Sequence, residues 1–289
     1  MKKRIQFGLA LITFMAIYTV AILLVLRSNQ HNSFEITRKN NDPRLDNQKQ
    51  EEKAGSASGL NNQAKREIDL DWAIEKYSGK EISRVDTTQK VVALTFDAGA
   101  NADGVEPILK ILAENNIRGT FFLTGKFIEK YPEKVRYIIS SGGEIGNHSY
   151  DHPYLTQLTD EEITGKIQGA ENALAELDAG FQPFFRSPYG DRNQSTLETI
   201  SENGYINIRW TIDSLGWMGT SGEMNKNSVK ERVVSKAAPG AIIMMHLGSN
   251  PTDKTHLDSE ALPEIISELK ADGYEFITMS ELLELMKGK

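Results

Sequence analysis

Two of the five histidines, His148 and His152, stand four residues apart with Asp151 between them. That spacing lets two neutral imidazoles converge on one divalent cation if the backbone closes a single turn. Pro153 follows at once and steers the residue before it away from the α region, so the turn is expected in a loop. Taken alone, such a pair also describes two solvated histidines in a polar turn. Four more polar residues stand where apolar runs stop: Asp97 after 91–96, Arg186 after Phe185, Asp213 after Ile212 and His246 after 241–245. Singly, Asp97 could be a strand-end cap, Arg186 a surface ion-pair partner and His246 a satisfied core histidine. Together, five positions falling at strand ends point to a site.

The elements that must position these residues alternate in kind. Apolar runs at 91–96, 119–123, 183–185, 205–212, 241–245 and 275–277 predict strands, and 144–146 leads into the histidine loop. Helical spacing is expected at 105–115, 132–140, 194–203, 227–238, 262–272 with Pro263 near its start, and 279–286. A further helix opens at Thr159, where Glu162 stands in the capping-box position. Such β-α alternation over about 200 residues implies a parallel sheet with helices outside, open or closed into a barrel. Ligands and chemistry then gather at the C-terminal ends of the strands.

The bulk composition narrows the chemistry. With 39% hydrophobic and 25% charged residues the chain is ordinary globular material, and its net charge of −7 gives no basis for a nucleic-acid partner. Cysteine is absent, which removes disulfides, thiolate ligands and cysteine nucleophiles, so any metal must be held by nitrogen and oxygen. Residues 1–27 begin with Lys2, Lys3 and Arg4 and continue as an apolar run to Leu26 without a small-x-small cleavage site. They are expected to be an uncleaved, single-pass membrane anchor, its N-terminus cytoplasmic and the rest of the chain extracellular. Residues 28–67 are polar and read as a flexible spacer, 68–89 as an extension of the domain, and 90–289 as the domain itself. His31 and His256 are expected on solvated surface.

Five segments, in order, resemble the polysaccharide deacetylases of carbohydrate esterase family 4, the NodB homology domain. They are Thr95-Phe96-Asp97-Ala98-Gly99, His148-Ser149-Tyr150-Asp151-His152, Arg186-Ser187-Pro188-Tyr189-Gly190, Asp213-Ser214-Leu215-Gly216-Trp217 and Ile242-Ile243-Met244-Met245-His246. The resemblance covers roughly residues 90–286. It implies a distorted (β/α) barrel, a divalent metal, zinc or cobalt, and removal of N-acetyl groups from glycan units such as N-acetylglucosamine or N-acetylmuramic acid. His148 and His152 would be metal ligands, Asp97 the general base, Arg186 the cation that holds it, and His246 the general acid. The Tyr189 backbone N–H would stabilise the oxyanion, and Trp217 and Leu247 would wall the acetyl pocket. The implied partner is a cell-wall polysaccharide, with peptidoglycan foremost; oligomeric state is left open.

Two positions depart from the family pattern. Ala98 stands where the family has the aspartate that is its third metal ligand, and a methyl group cannot ligate; Asn101, Asp103 and Asp151 are nearby candidates for that role. Gly216 replaces the aspartate that pairs with the catalytic histidine, leaving Asp213 as a candidate for His246. Tyr150, Tyr154 and Trp210 are aromatic candidates for sugar contact. A non-catalytic glycan-binding adaptor is the competing reading, because of Ala98.

Overall fold

The structure is a computed structural model and describes residues 68–99 and 101–288. The anchor expected at 1–27 and the spacer at 28–67 lie outside the described residues. Among the described residues no helix is long and apolar enough to cross a membrane.

Among the described residues nine strands form one parallel sheet in the order β1-β6-β5-β4-β3-β2-β8-β7, with β9 against the start of β2. Their ranges are β1 Glu81–Ile82, β2 Val91–Ala98, β3 Thr120–Leu123, β4 Glu144–Asn147, β5 Phe184–Phe185, β6 Ile206–Ile208, β7 Ile212–Asp213, β8 Ala241–His246 and β9 Glu275–Phe276. All eight residues of β2 are buried, as a strand covered on both faces must be. Its side chains alternate: Val92, Leu94, Phe96 and Ala98 pack among the surrounding helices. Val91 and Ala93 belong to a second apolar cluster on the other face, with Phe122, Phe184, Ile242 and Met279. Thr95 and Asp97 continue that second row towards the C-terminal end.

The α-helices are α1 Asp71–Lys76, α2 Val105–Glu114, α3 Gly125–Lys130, α4 Pro132–Ser140, α5 Asp160–Ala175, α6 Gln194–Glu202, α7 Lys226–Val234, α8 Leu257–Ala271 and α9 Met279–Glu284; α2 to α8 lie outside the sheet, and α1 and α9 close the inner cluster. Helix α5 opens with the expected capping box: Thr159 accepts from the Glu162 N–H, and the Glu162 carboxylate accepts from the Thr159 N–H. The extension at 68–89 supplies α1 and the edge strand β1, paired with β6.

Three expectations change. The run 205–212 is two strands, β6 beside β5 and β1 and β7 beside β8, so the chain crosses between opposite edges of the sheet within residues 209–211. Arg209 N–H donates to the Ile82 carbonyl and Thr211 N–H to that of Ile242, which stitches this crossing to both edges. Helix α3, which follows β3 directly, is additional. Helix α8 begins at Leu257 rather than 262, with Pro263 inside it, and this places Asp258 in its first turn. The result is a curled parallel α/β half-barrel, an open and distorted form of the barrel expected.

Candidate functional site

Register alone brings the first two polar residues together. Asp97 and His246 are paired positions on the neighbouring strands β2 and β8, so both emerge on the inner face at the C-terminal rim. His148 and Arg186 follow the ends of β4 and β5, which pair through Asn147 and Phe185. Arg186 and Asp97 are separated by three strand spacings of about 4.8 Å each along the sheet. Their Nη1–Oδ1 contact of 2.6 Å therefore requires the sheet to curl, and the bond crosses its concave interior.

Arg186 is fully buried and every arm of its guanidinium is used. Nη1 also donates to Thr95 Oγ1 at 3.0 Å, Nε to the Ile208 carbonyl at 3.1 Å and Nη2 to the Arg209 carbonyl at 3.3 Å. The Phe122 ring lies 4.0 Å below the guanidinium carbon. Burial pushes the Asp97 carboxyl up, but Arg186, His148 and His246 outweigh it and hold it below the usual carboxylate range. Asp97 is thus kept ionised and fixed in direction.

The histidine loop closes without a helical turn. Ser149 and His152 both have left-handed backbone, at φ 66° and 63°, and the His152 N–H donates to Ser149 Oγ. The rings of His148 and His152 end 4.8 Å apart. His148 Nδ1 lies 2.8 Å from the Arg186 carbonyl, which fixes its proton there and leaves Nε2 bare, 3.7 Å from Asp97 Oδ2. Burial holds His148 below its ordinary pKa, and burial with the neighbouring His148 pushes His152 down to about 4. Two neutral imidazoles, that of His148 of fixed tautomer, fit the nitrogen half of a catalytic divalent-cation site. The oxygen half is less complete. Ala98 is buried in the apolar cluster on the helix side. Asn101 is bonded to Ser249, Asp103 accepts from the Ser249 hydroxyl, and Asp151 is paired with Lys166 at 2.9 Å. Among the described residues no group of three or more histidine, aspartate and glutamate side chains is gathered to hold a metal ion. Asp97 is the carboxylate beside the two histidines.

His246 faces a different carboxylate from the one expected. Asp213 accepts the Leu215 N–H at 2.9 Å and acts on His246 only through its charge, and burial raises its own pKa. The direct neighbour is Asp258, whose Oδ2 accepts the His246 backbone N–H at 2.9 Å and lies 3.7 Å from His246 Nδ1. Burial pulls the His246 imidazole down, but Asp258, Asp97 and Asp213 outweigh it and raise its pKa. Asp258 was hidden by the assumed helix start at 262. The spacing of Leu257, Ala261, Leu262 and Ile265 continues the helical pattern back to 257 and was the available signal.

Around these groups Trp217 is exposed, with its ring 6.4 Å from that of His246. Leu247, expected beside it as a pocket wall, is fully buried in the helix-side cluster, because it continues the row of Ala241, Ile243 and Met245. Tyr189 has a left-handed backbone at φ 59°, a strained conformation of the kind that collects at functional sites. Its ring stacks on Tyr154 at 4.3 Å and meets His152 edge-on at 4.3 Å, and both tyrosines are about half exposed. They form an aromatic ledge on one side of the histidines. Tyr150 instead directs its hydroxyl to Glu129, and Trp210 packs near the Arg186 and Arg209 guanidinia.

A fit to the sequence profile of the polysaccharide deacetylases spans residues 84–208. A peptidoglycan-N-acetylglucosamine deacetylase of Bacillus cereus is 34% identical over 199 residues, covering 68% of this chain and 70% of that protein. The peptidoglycan-N-acetylmuramic acid deacetylase PdaC of Bacillus subtilis is 32% identical over 71% of this chain, but the match spans only 41% of PdaC. Among solved structures, a pseudoenzyme of carbohydrate esterase family 4 from Bacillus anthracis superposes with a TM-score of 0.65 at 28% identity, covering 72% of this chain and 70% of that one. Similarity of this extent, over the segments that carry the polar rim, makes the chain a member of the polysaccharide deacetylases of carbohydrate esterase family 4, hydrolases acting on amide bonds.

Proposed function

We propose that the protein is a metal-dependent deacetylase that removes N-acetyl groups from a cell-wall glycan, peptidoglycan N-acetylglucosamine or N-acetylmuramic acid, outside a membrane to which residues 1–27 anchor it. The observation that carries this reading is the buried Asp97–Arg186 pair beside His246, one ionised base and one histidine of raised pKa on neighbouring strands, with two neutral imidazoles next to the base. Groups whose environments push their pKa values apart are the usual sign of an acid and a base with separate tasks. His148 and His152 would hold the metal, which when bound polarises the acetamido carbonyl and makes water more acidic. Asp97 takes a proton from the attacking water as its oxygen bonds to the carbonyl carbon. His246 gives its proton to the sugar nitrogen as the C–N bond breaks, so that acetate and a free amine leave. Arg186 keeps Asp97 ionised between turnovers, and the aromatic ledge of Tyr154 and Tyr189 offers a flat face to a neighbouring sugar.

The test is acetate release from purified peptidoglycan and from chitin oligomers, after chelation and after adding back zinc or cobalt. Release that chelation abolishes and metal restores is the expected result. A folded protein that binds glycan but releases no acetate under any metal would overturn it in favour of the adaptor. That second reading draws on Ala98 and on the pseudoenzyme among the similar structures, of which a mutant is described as having restored activity.

A further inference from the structure

The space beside His246 has exchanged its owner. Gly216 lies in the loop after β7, and its backbone is not among the left-handed glycines, so chain geometry does not call for glycine there. Close approach does. A Cβ on residue 216 would stand 2.5 Å from Asp258 Cγ and 2.8 Å from Oδ2, distances that real side chains do not tolerate. The volume a side chain at 216 would enter is filled by the carboxylate of Asp258, arriving from the first turn of α8.

Asp258 is 4% exposed, and the one ion pair it makes among the described residues is with His246. Among the same residues, Asp258 Oδ1 and His246 Nδ1 are both buried without a hydrogen-bond partner. A buried carboxylate left half satisfied is costly, and a small rotation of either group closes their 3.7 Å gap into a charge-assisted bond. From this geometry we infer that Asp258 is the positioning residue of His246: it accepts the Nδ1 proton, holds the ring so that Nε2 faces the leaving nitrogen, and requires glycine at 216 to do so. Carboxylate and glycine are one exchange, in which the acid has moved from the β7 loop to helix α8. The inference rests on the deacetylase reading for the role of His246, but not for the pairing itself.

The experiment uses the full chain in detergent with 15N-labelled histidine. Its five imidazoles are few enough to resolve, and His246→Gln assigns the signal of interest. The titration of His246 is followed in wild type, in Asp258→Asn and in the double variant Asp258→Gly with Gly216→Asp. Asn keeps an acceptor for the His246 backbone N–H, so the fold is retained. The other charged groups acting on the ring are Asp97 and Asp213, and both are unchanged throughout. Wild type should show the Nδ1–H tautomer, and Asp258→Asn should lower the His246 pKa by about one unit or more. The double variant should recover most of that shift. With acetate release as the second readout, Asp258→Asn should lower kcat by roughly ten- to a hundredfold with KM unchanged, and the double variant should regain most of it. An unaltered His246 titration and tautomer in Asp258→Asn would overturn the pairing. A wild type that releases no acetate while His246 still responds to Asp258→Asn would overturn the proposed function and leave the pairing standing.

Discussion

Arg186→Met isolates what the buried cation contributes. The replacement keeps most of the volume over Phe122 but removes the charge and four donor contacts. Breaking one side of a buried ion pair costs about 3–5 kcal/mol, because the surviving charge stays desolvated. The unpaired carbonyls of Ile208 and Arg209 add to the loss, but their share does not depend on pH. The carboxylate's share does. In wild type the Asp97 pKa is lowered, so its contribution is complete above the unfolded value of about 3.9 and is lost only as pH falls below that. Without Arg186, burial acts with much less opposition and raises that pKa. A group with a raised folded pKa favours the folded state more as pH falls through it, by about 1.4 kcal/mol per pH unit. The variant should therefore lose most at pH 8 and recover part of the loss at pH 5. Urea unfolding followed by tryptophan fluorescence, in chelator and at both pH values, measures this, and subtracting wild type removes the titration common to both proteins. A loss below about 1 kcal/mol that is equal at the two pH values would refute the idea that Arg186 exists to hold Asp97 ionised.

Asp97→Asn should lower acetate release by about 10²–10⁴-fold while far-UV circular dichroism stays that of a folded protein, since Asn retains the size of the side chain but cannot take a proton. Wild-type rates in that variant would remove Asp97 from the mechanism. Tyr154→Ala should raise KM for oligomeric glycans about three- to tenfold with kcat unchanged, the effect of losing an aromatic contact of about 0.5–1.5 kcal/mol. Unchanged KM across oligomer lengths would take the ledge out of substrate binding.

Much of the site was legible because a parallel sheet turns sequence into position: a polar residue closing an apolar run lands on the C-terminal rim. Asp97, Arg186, Asp213 and His246 share that property, His148 follows the short strand at 144–147, and all five sit there in the structure. What sequence could not supply is pairing across distance. The run 205–212 is uniformly strand-like, and nothing local tells it that Ile206–Ile208 belongs at one edge and Ile212–Asp213 at the other. Helix α3 is a six-residue helix, too short to announce itself by periodicity. Asp258 was lost to a reasonable rule, that proline favours the first helical position. Pro263 sits inside α8 instead, and the helix start moved away from the residue that mattered. The orientation of Ala98 and Leu247 follows from the alternation of β2 and β8, which was readable in principle once one residue of each strand was placed.

The register pair Asp97 and His246 joins positions 149 residues apart, across the strand contact between β2 and β8. Strand β2 is central, with β3 on one side and β8 on the other. On a ribosome, β3 and β4 can take their places soon after β2, but the other flank of β2 must wait until residues 241–246 emerge. Until then the longest strand among the described residues carries an open row of amide and carbonyl groups beside apolar side chains, the surface that recruits foreign strands. A chain cut short before 241 would accordingly be removed as an aggregating fragment rather than persist as a weak enzyme. Base and acid reach each other only after residue 246 has been made, so possession of the site certifies that both flanks of β2 are in place.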